Sequence, residues 1–132
     1  MHYFSELETL LDDSSAPYSG FNVASIVVDK SGEVFKGVNV ESVAYPTTMC
    51  AERNAIFSAI TSGVKRGEIV EVHILARNIE NNLIAAFPCG SCRQVIAEQS
   101  NNEAKVYIYT SPKDISVHTI AELLPHAFFS LD

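Results

Sequence analysis

The sequence predicts an α/β protein, a three-layer α/β/α sandwich around a mixed, mostly buried β-sheet. The main observation is alternation: runs rich in β-branched residues, Val23–Val28, Val34–Val40, Val70–Ala76 and Val106–Tyr109, are interleaved with stretches of helical periodicity. A second is the turn Asp29-Lys30-Ser31-Gly32, where glycine supplies positive φ and joins the first two strands as a hairpin. Taken in order, Phe4, Leu7, Leu10 and Leu11 recur at helical spacing and predict a short helix over residues 3–13. Ser14, Ser15 and Pro17 end it, and residues 18–21 form a loop before the first strand. After the hairpin, Pro46 and Thr47-Thr48 interrupt the chain. A helix then runs from Cys50 to about Ser62, with Ala55, Ile56, Ala59 and Ile60 as its buried face and Gly63 as its stop. Asn81-Asn82 is a turn after the third strand, and Cys92–Gln99 is a further helix. Beyond the fourth strand, residues 115–117 read as a fifth and residues 120–124 as a last helical turn before the apolar segment Pro125–Phe129.

Length and charge narrow the function. A chain of 132 residues suits one compact domain spanning residues 1–132. A formal net charge of -7 without any basic run speaks against nucleic acid, whose phosphates are bound by clustered Lys and Arg. The first eight residues carry Glu6 and Glu8 where a signal peptide carries positive charge, and no stretch approaches the ~18 apolar residues of a membrane helix. Unpaired thiols suit a reducing compartment. The expectation is a cytoplasmic protein with no membrane partner.

Three cysteines, Cys50, Cys89 and Cys92, lie in two short segments, Met49–Arg53 and Pro88–Gln94. An odd number cannot be closed by internal disulfides. A Cys-x-x-Cys alone has several readings: a redox pair, half of a zinc ribbon, or coincidence. A ribbon needs a second pair, and a redox pair has no use for Cys50. With Cys50 as a third ligand the set suits a catalytic zinc, which keeps its fourth position open. Glu52, two residues on, is placed to move protons without binding the metal. Both segments stand where the chain enters a helix, and helix N-termini favour thiolate over thiol.

Cys50-x-Glu52 followed by Pro88-Cys89-x-x-Cys92 resembles the signature of zinc deaminases, with Cys in place of His as first ligand. Together with Tyr18-Ser19-x-Phe21-x-Val23, Asn39-Val40-Glu41 and the continuation Arg93-Gln94, it resembles the homotetrameric, zinc-dependent cytidine deaminase family over most of the chain. The resemblance implies the same α/β/α fold, one zinc ion per chain held by Cys50, Cys89 and Cys92, and a pyrimidine nucleoside as substrate. It implies Glu52 as proton shuttle, Phe21 beside the base, Asn39 and Glu41 on the ribose hydroxyls, and the Ala51 N–H on the pyrimidine carbonyl. Tyr45 and Phe128 match residues lent to a neighbouring subunit's site. Read without the family, Phe21 is an ordinary core residue and Asn39 and Glu41 are a strand end facing solvent. Arg53 is expected to offset the charge of three thiolates, with Arg93 a further donor and Gln94 beside it.

The implied chemistry is hydrolytic deamination: Glu52 takes a proton from a zinc-activated water, passes it to ring N3, and later protonates the leaving amine. Cytidine becomes uridine, 2′-deoxycytidine follows if recognition centres on the 3′-hydroxyl, and no organic cofactor is required. Val23-Ala24-Ser25 departs from the family, which usually has Gly after Val, and is similar to blasticidin S deaminases. Those are the alternative reading. Glu41 and Arg53-Asn54-Ala55-Ile56 are similar to nucleoside deaminases instead. His2, His73, His118 and His126 match nothing catalytic.

Overall fold

The structure, a computed structural model, describes residues 2–128, 130 and 131. Its elements are α1 (Phe4–Leu11), β1 (Asn22–Asp29), β2 (Val34–Val38), a 3-10 turn (Tyr45–Thr47), α2 (Ala51–Thr61), β3 (Ile69–Arg77), β4 (Leu83–Ile84), α3 (Gly90–Gln99), β5 (Lys105–Tyr109), β6 (Ile115–Thr119) and α4 (Ile120–Leu123). The sheet order is β2-β1-β3-β5-β6, with β4 pairing β3. The β3–β5 pair is parallel, because the long segment carrying α3 connects them, and the other pairs are antiparallel. The expected mixed sheet is present.

Alternation along each strand sorts side chains onto two faces. Val27, Val72, Ile74, Val106 and Ile108 meet Ala55, Ile56 and Ala59 of α2 and Ile96 and Ala97 of α3. On the opposite face Ala24, Ile26, Leu75 and Tyr109 meet Phe4, Leu7 and Leu11 of α1. Those two cores make the three layers.

The differences from expectation are local. Ile60 is exposed, since it lies about 100° around the helix from Ala59 and beyond the arc occupied by Ala55, Ile56 and Ala59. The strand after the hairpin stops at Val38, because Asn39 turns inward and Val40 pairs instead with Ser15 and Met49. Cys50 is the N-cap of α2 and not its first turn, while α3 begins at Gly90 with Cys89 as N-cap. Two-residue β4 is too short to show a period.

Candidate active site

The Val40–Met49 bridge pins the approach to α2 and sets Cys50 at its N-terminus. Gly37 lets this helix sit low on the sheet: a methyl group there would intrude on the Ala51 carbonyl and the Ala55 nitrogen. Across the site, Cys89 caps α3 and Cys92 lies buried in its first turn. Two helix N-termini therefore converge on one point.

All three Sγ atoms lie within 4.8 Å of one another, and those of Cys50 and Cys89 are 3.8 Å apart. A disulfide needs about 2.04 Å. A tetrahedral zinc with Zn–S bonds of about 2.3 Å holds its sulfurs about 3.8 Å apart, so this donor set fits the ion and leaves one position open. Among the thiols, Cys50 is the one favoured as thiolate. A hydrogen bond from Cys92, and after it Arg53, hold its pKa at about 5 against burial. The same hydrogen bond, with burial, pushes Cys92 upward.

Glu52 lines the cavity beside these sulfurs and is buried. Burial first, and then the neighbouring Cys50 charge, raise its carboxyl to about 7. A group that holds and releases a proton near neutrality is what acid–base catalysis requires. Arg53 Nη2 donates to Cys50 Sγ at 3.4 Å, and this contact is the first cause that holds its guanidinium charged.

A cavity of about 200 Å³ joins the sulfurs to a polar end formed by Asn39 and Glu41, and Phe21 and Ala51 also line it. Asn39 is buried and does not face solvent as a strand end would. Its amide oxygen accepts from the Val23 N–H at 2.9 Å and the Ser14 hydroxyl at 2.6 Å, and its nitrogen donates to the Phe21 carbonyl at 2.8 Å. Those bonds leave one amide N–H for a ligand. Glu41 accepts from the backbone N–H groups of Tyr18 and Ser19 and from the Ser19 hydroxyl, and these bonds, the hydroxyl first, keep its carboxyl below the ordinary range. Ala51 is the first residue of α2, so its N–H has no acceptor within the helix.

Some expected site residues lie elsewhere. Arg93 does not reach the sulfurs: it donates to the Pro88 and Leu123 carbonyls, each at 2.7 Å, and ties the cysteine loop to the end of α4. Gln94 donates to Glu98 and to the Phe128 carbonyl. Tyr45 is exposed on an adjoining hollow that shares Glu41 and Thr48 with the cavity. Phe128 is 65% exposed in a separate hollow with Arg66 and Glu98, away from its own chain's cavity. Ser25 is buried opposite Gly37 and Ile74, beneath the cavity and not in its wall. Lining residues that sequence reasoning missed include Val23, Met49, Ile74 and Phe87. Met49 and Phe87 flank the cysteine motifs and Val23 ends the Tyr18-Ser19-x-Phe21-x-Val23 motif, which were the available signals; Ile74 had none beyond apolarity.

The family model described as the cytidine and deoxycytidylate deaminase zinc-binding region matches residues 1–110. The chain belongs to this family. A cytidine deaminase from Halalkalibacterium halodurans is 40% identical over 116 residues, which cover 88% of this chain and 83% of that one. The crystal structure of a cytidine deaminase from Burkholderia pseudomallei superposes with a TM-score of 0.84 at 34% identity, covering 97% of this chain and 100% of that one. A blasticidin-S deaminase from Bacillus cereus is 32% identical over 106 residues, 79% of this chain and 74% of that one. Family membership makes the protein a hydrolytic deaminase with zinc as its cofactor, the ion that the three cysteines fit.

Proposed function

We propose that the protein deaminates cytidine and 2′-deoxycytidine to the corresponding uridines, releasing ammonia. The observation that carries this reading is one cavity lined both by Glu52, Cys50 and Cys89, with Cys92 close to those sulfurs, and by the polar pair Asn39 and Glu41. Zinc held by Cys50, Cys89 and Cys92 supplies a Lewis acid and a water acidic enough to ionise near neutral pH. Glu52 accepts one proton from the attacking water and presents it to ring N3, then takes the second from the hydroxyl now on C4 and gives it to the departing amine. Burial keeps that carboxyl poised for both roles. The Ala51 N–H holds the pyrimidine carbonyl, while Glu41 and the remaining Asn39 N–H hold the ribose. A blasticidin S deaminase reading has less support, since in the Val23-Ala24-Ser25 segment that motivates it, Ala24 and Ser25, where the chain departs from the family, lie outside the cavity wall.

Assembly follows from the exposed aromatics. Phe128 lies away from its own cavity and Tyr45 stands exposed on the hollow beside it, as residues lent to a neighbour do, which supports a homotetramer with shared sites. Three free cysteines favour the reducing cytoplasm. No helix among the described residues is long and apolar enough to cross a membrane.

Ammonia release from cytidine, deoxycytidine, free cytosine, blasticidin S and a cytosine-containing oligonucleotide tests the reading. Turnover of the two nucleosides is expected; turnover of blasticidin S or the oligonucleotide alone would overturn it. Glu52→Gln is expected to keep zinc and lose at least about 10²–10⁴-fold in kcat.

A further inference from the structure

Phe87 is a large apolar residue, 45% exposed, in the wall of the catalytic cavity. Its backbone is constrained from the C-terminal side. Residue 88 is a proline, which restricts the residue before it, and the Pro88 carbonyl is held by Arg93 Nε at 2.7 Å. Its ring is also held. His118 of β6 meets it edge to face, with centroids 4.9 Å apart and planes at 64°, and the His118 ring hydrogen-bonds the Ser116 hydroxyl at 3.0 Å. The cavity therefore has one apolar wall whose ring is held in place while much of its surface stays open to a ligand.

Its place in the cavity says which part of a substrate it meets. Only Pro88 separates it from Cys89, so their Cα atoms are at most about 7 Å apart. Phe21 lines the same cavity, where its carbonyl accepts from Asn39. The cavity thus has two aromatics in its wall, of which Phe87 is the one next to the cysteine motif. Resting on the deaminase reading, the substrate directs C4 to the sulfurs and N3 to Glu52 on α2. The atom on the opposite flank of C4 is C5, which then faces the segment that carries Phe87 and Cys89 into α3.

We infer that Phe87 is a specificity-determining residue whose ring closes the C5 side of the pyrimidine and excludes substituents there, with His118 as the positioning residue that holds the ring. The exclusion is steric, and no bond is made or broken at Phe87. One methyl group against a fitted apolar wall changes discrimination by about 10–200-fold.

The test compares zinc-loaded wild type, Phe87→Ala and Phe87→Leu on cytidine and 5-methylcytidine. The ratio of kcat/KM for the methylated to the unmethylated substrate is expected to rise by about tenfold or more in Phe87→Ala, and less in Phe87→Leu, with zinc content unchanged. Calorimetric affinities for uridine and 5-methyluridine should shift in the same sense, a readout that needs no turnover. His118→Ala should raise the ratio in part, and His118→Phe, which restores an edge-to-face ring, should return it to the wild-type value. An unchanged ratio in both Phe87 variants overturns the inference, as does an equal loss on both substrates. A change of mass by light scattering with an unchanged ratio would make Phe87 an interface residue instead. Failure of the wild type to act on cytidine or to bind uridine sinks the deaminase reading, and is told apart from failure of the inference by the wild-type measurements alone.

Discussion

Three thiolates around Zn²⁺ carry a formal charge of -1, one unit more negative than a set with one neutral His, and excess donation weakens the ion as a Lewis acid. Arg53 answers this at the residue scale. Its Nη2 lies 3.4 Å from Cys50 Sγ, where it draws charge off the sulfur, while its buried Nε has no hydrogen-bond partner among the described residues. Partners of this kind tune metal sites by about 10–100-fold. Arg53→Gln is therefore expected to keep zinc in purified protein and lose about that factor in kcat. Adding Cys50→His, which removes the charge Arg53 offsets, should recover part of the loss. A double variant no better than the product of the two single losses would reduce Arg53 to a packing role. Arg93, one residue past Cys92, was expected to help at the sulfurs but binds carbonyls instead. Spacing alone does not fix the direction of a long side chain.

Two elements carry predictions of their own. The start of α2 depends on Gly37, because its first turn rests on the bare backbone of β2. Gly37→Ala would force helix and sheet apart and is expected to cost about 1–3 kcal/mol, read by urea unfolding, with weaker zinc binding as the cysteines separate. Unaltered stability would mean that α2 can lift without cost. On the other face of the sheet, β3 buries His73. Its Nε2 is 2.8 Å from Glu71 Oε1, its Nδ1 is 2.7 Å from the Tyr109 hydroxyl, and its ring stacks on Tyr107. Burial lowers its pKa, with Glu71 pulling the other way. The unfolded chain therefore takes up a proton below about pH 6.5 that the folded chain resists. The stability this contributes is present above pH 6.5 and is lost as pH falls through the folded value. Unfolding free energy should drop between pH 7.5 and 5.5, and His73→Phe should flatten that drop. Equal slopes in the two proteins would assign the pH dependence to other groups.

For the whole molecule, the C-terminal segment is the part proposed to serve a neighbouring subunit's site. Arg93 holds the Leu123 carbonyl and Gln94 the Phe128 carbonyl, so α3 anchors this segment on the outside of its own subunit. Removing residues 128–132 is expected to raise KM several-fold or abolish turnover while zinc content stays unchanged. Wild-type kinetics after truncation would show that the segment is only surface packing, and fully active monomer by light scattering would end the shared-site reading.

The sequence by itself determined every strand but the two-residue β4, the helices to within two residues at each end, and the two short segments that carry Cys50 with Glu52 and Cys89 with Cys92. Each of those rests on short-range properties, namely β-branched runs, helical period and the spacing within each segment, whereas bringing Cys50 to Cys89 across 39 residues is the work of the fold. His73, which matches nothing catalytic in the sequence, is a satisfied group in the core. Tertiary structure decided the rest. Asn39 turned inward because the Val23 N–H, the Phe21 carbonyl and the Ser14 hydroxyl, all distant in the chain from it, converge on its amide. Phe87 became a cavity wall because β6 delivers His118 against it across 31 residues of sequence. Side-chain direction and long-range contact have no period along the chain, so they become visible only when the sheet has brought their partners together.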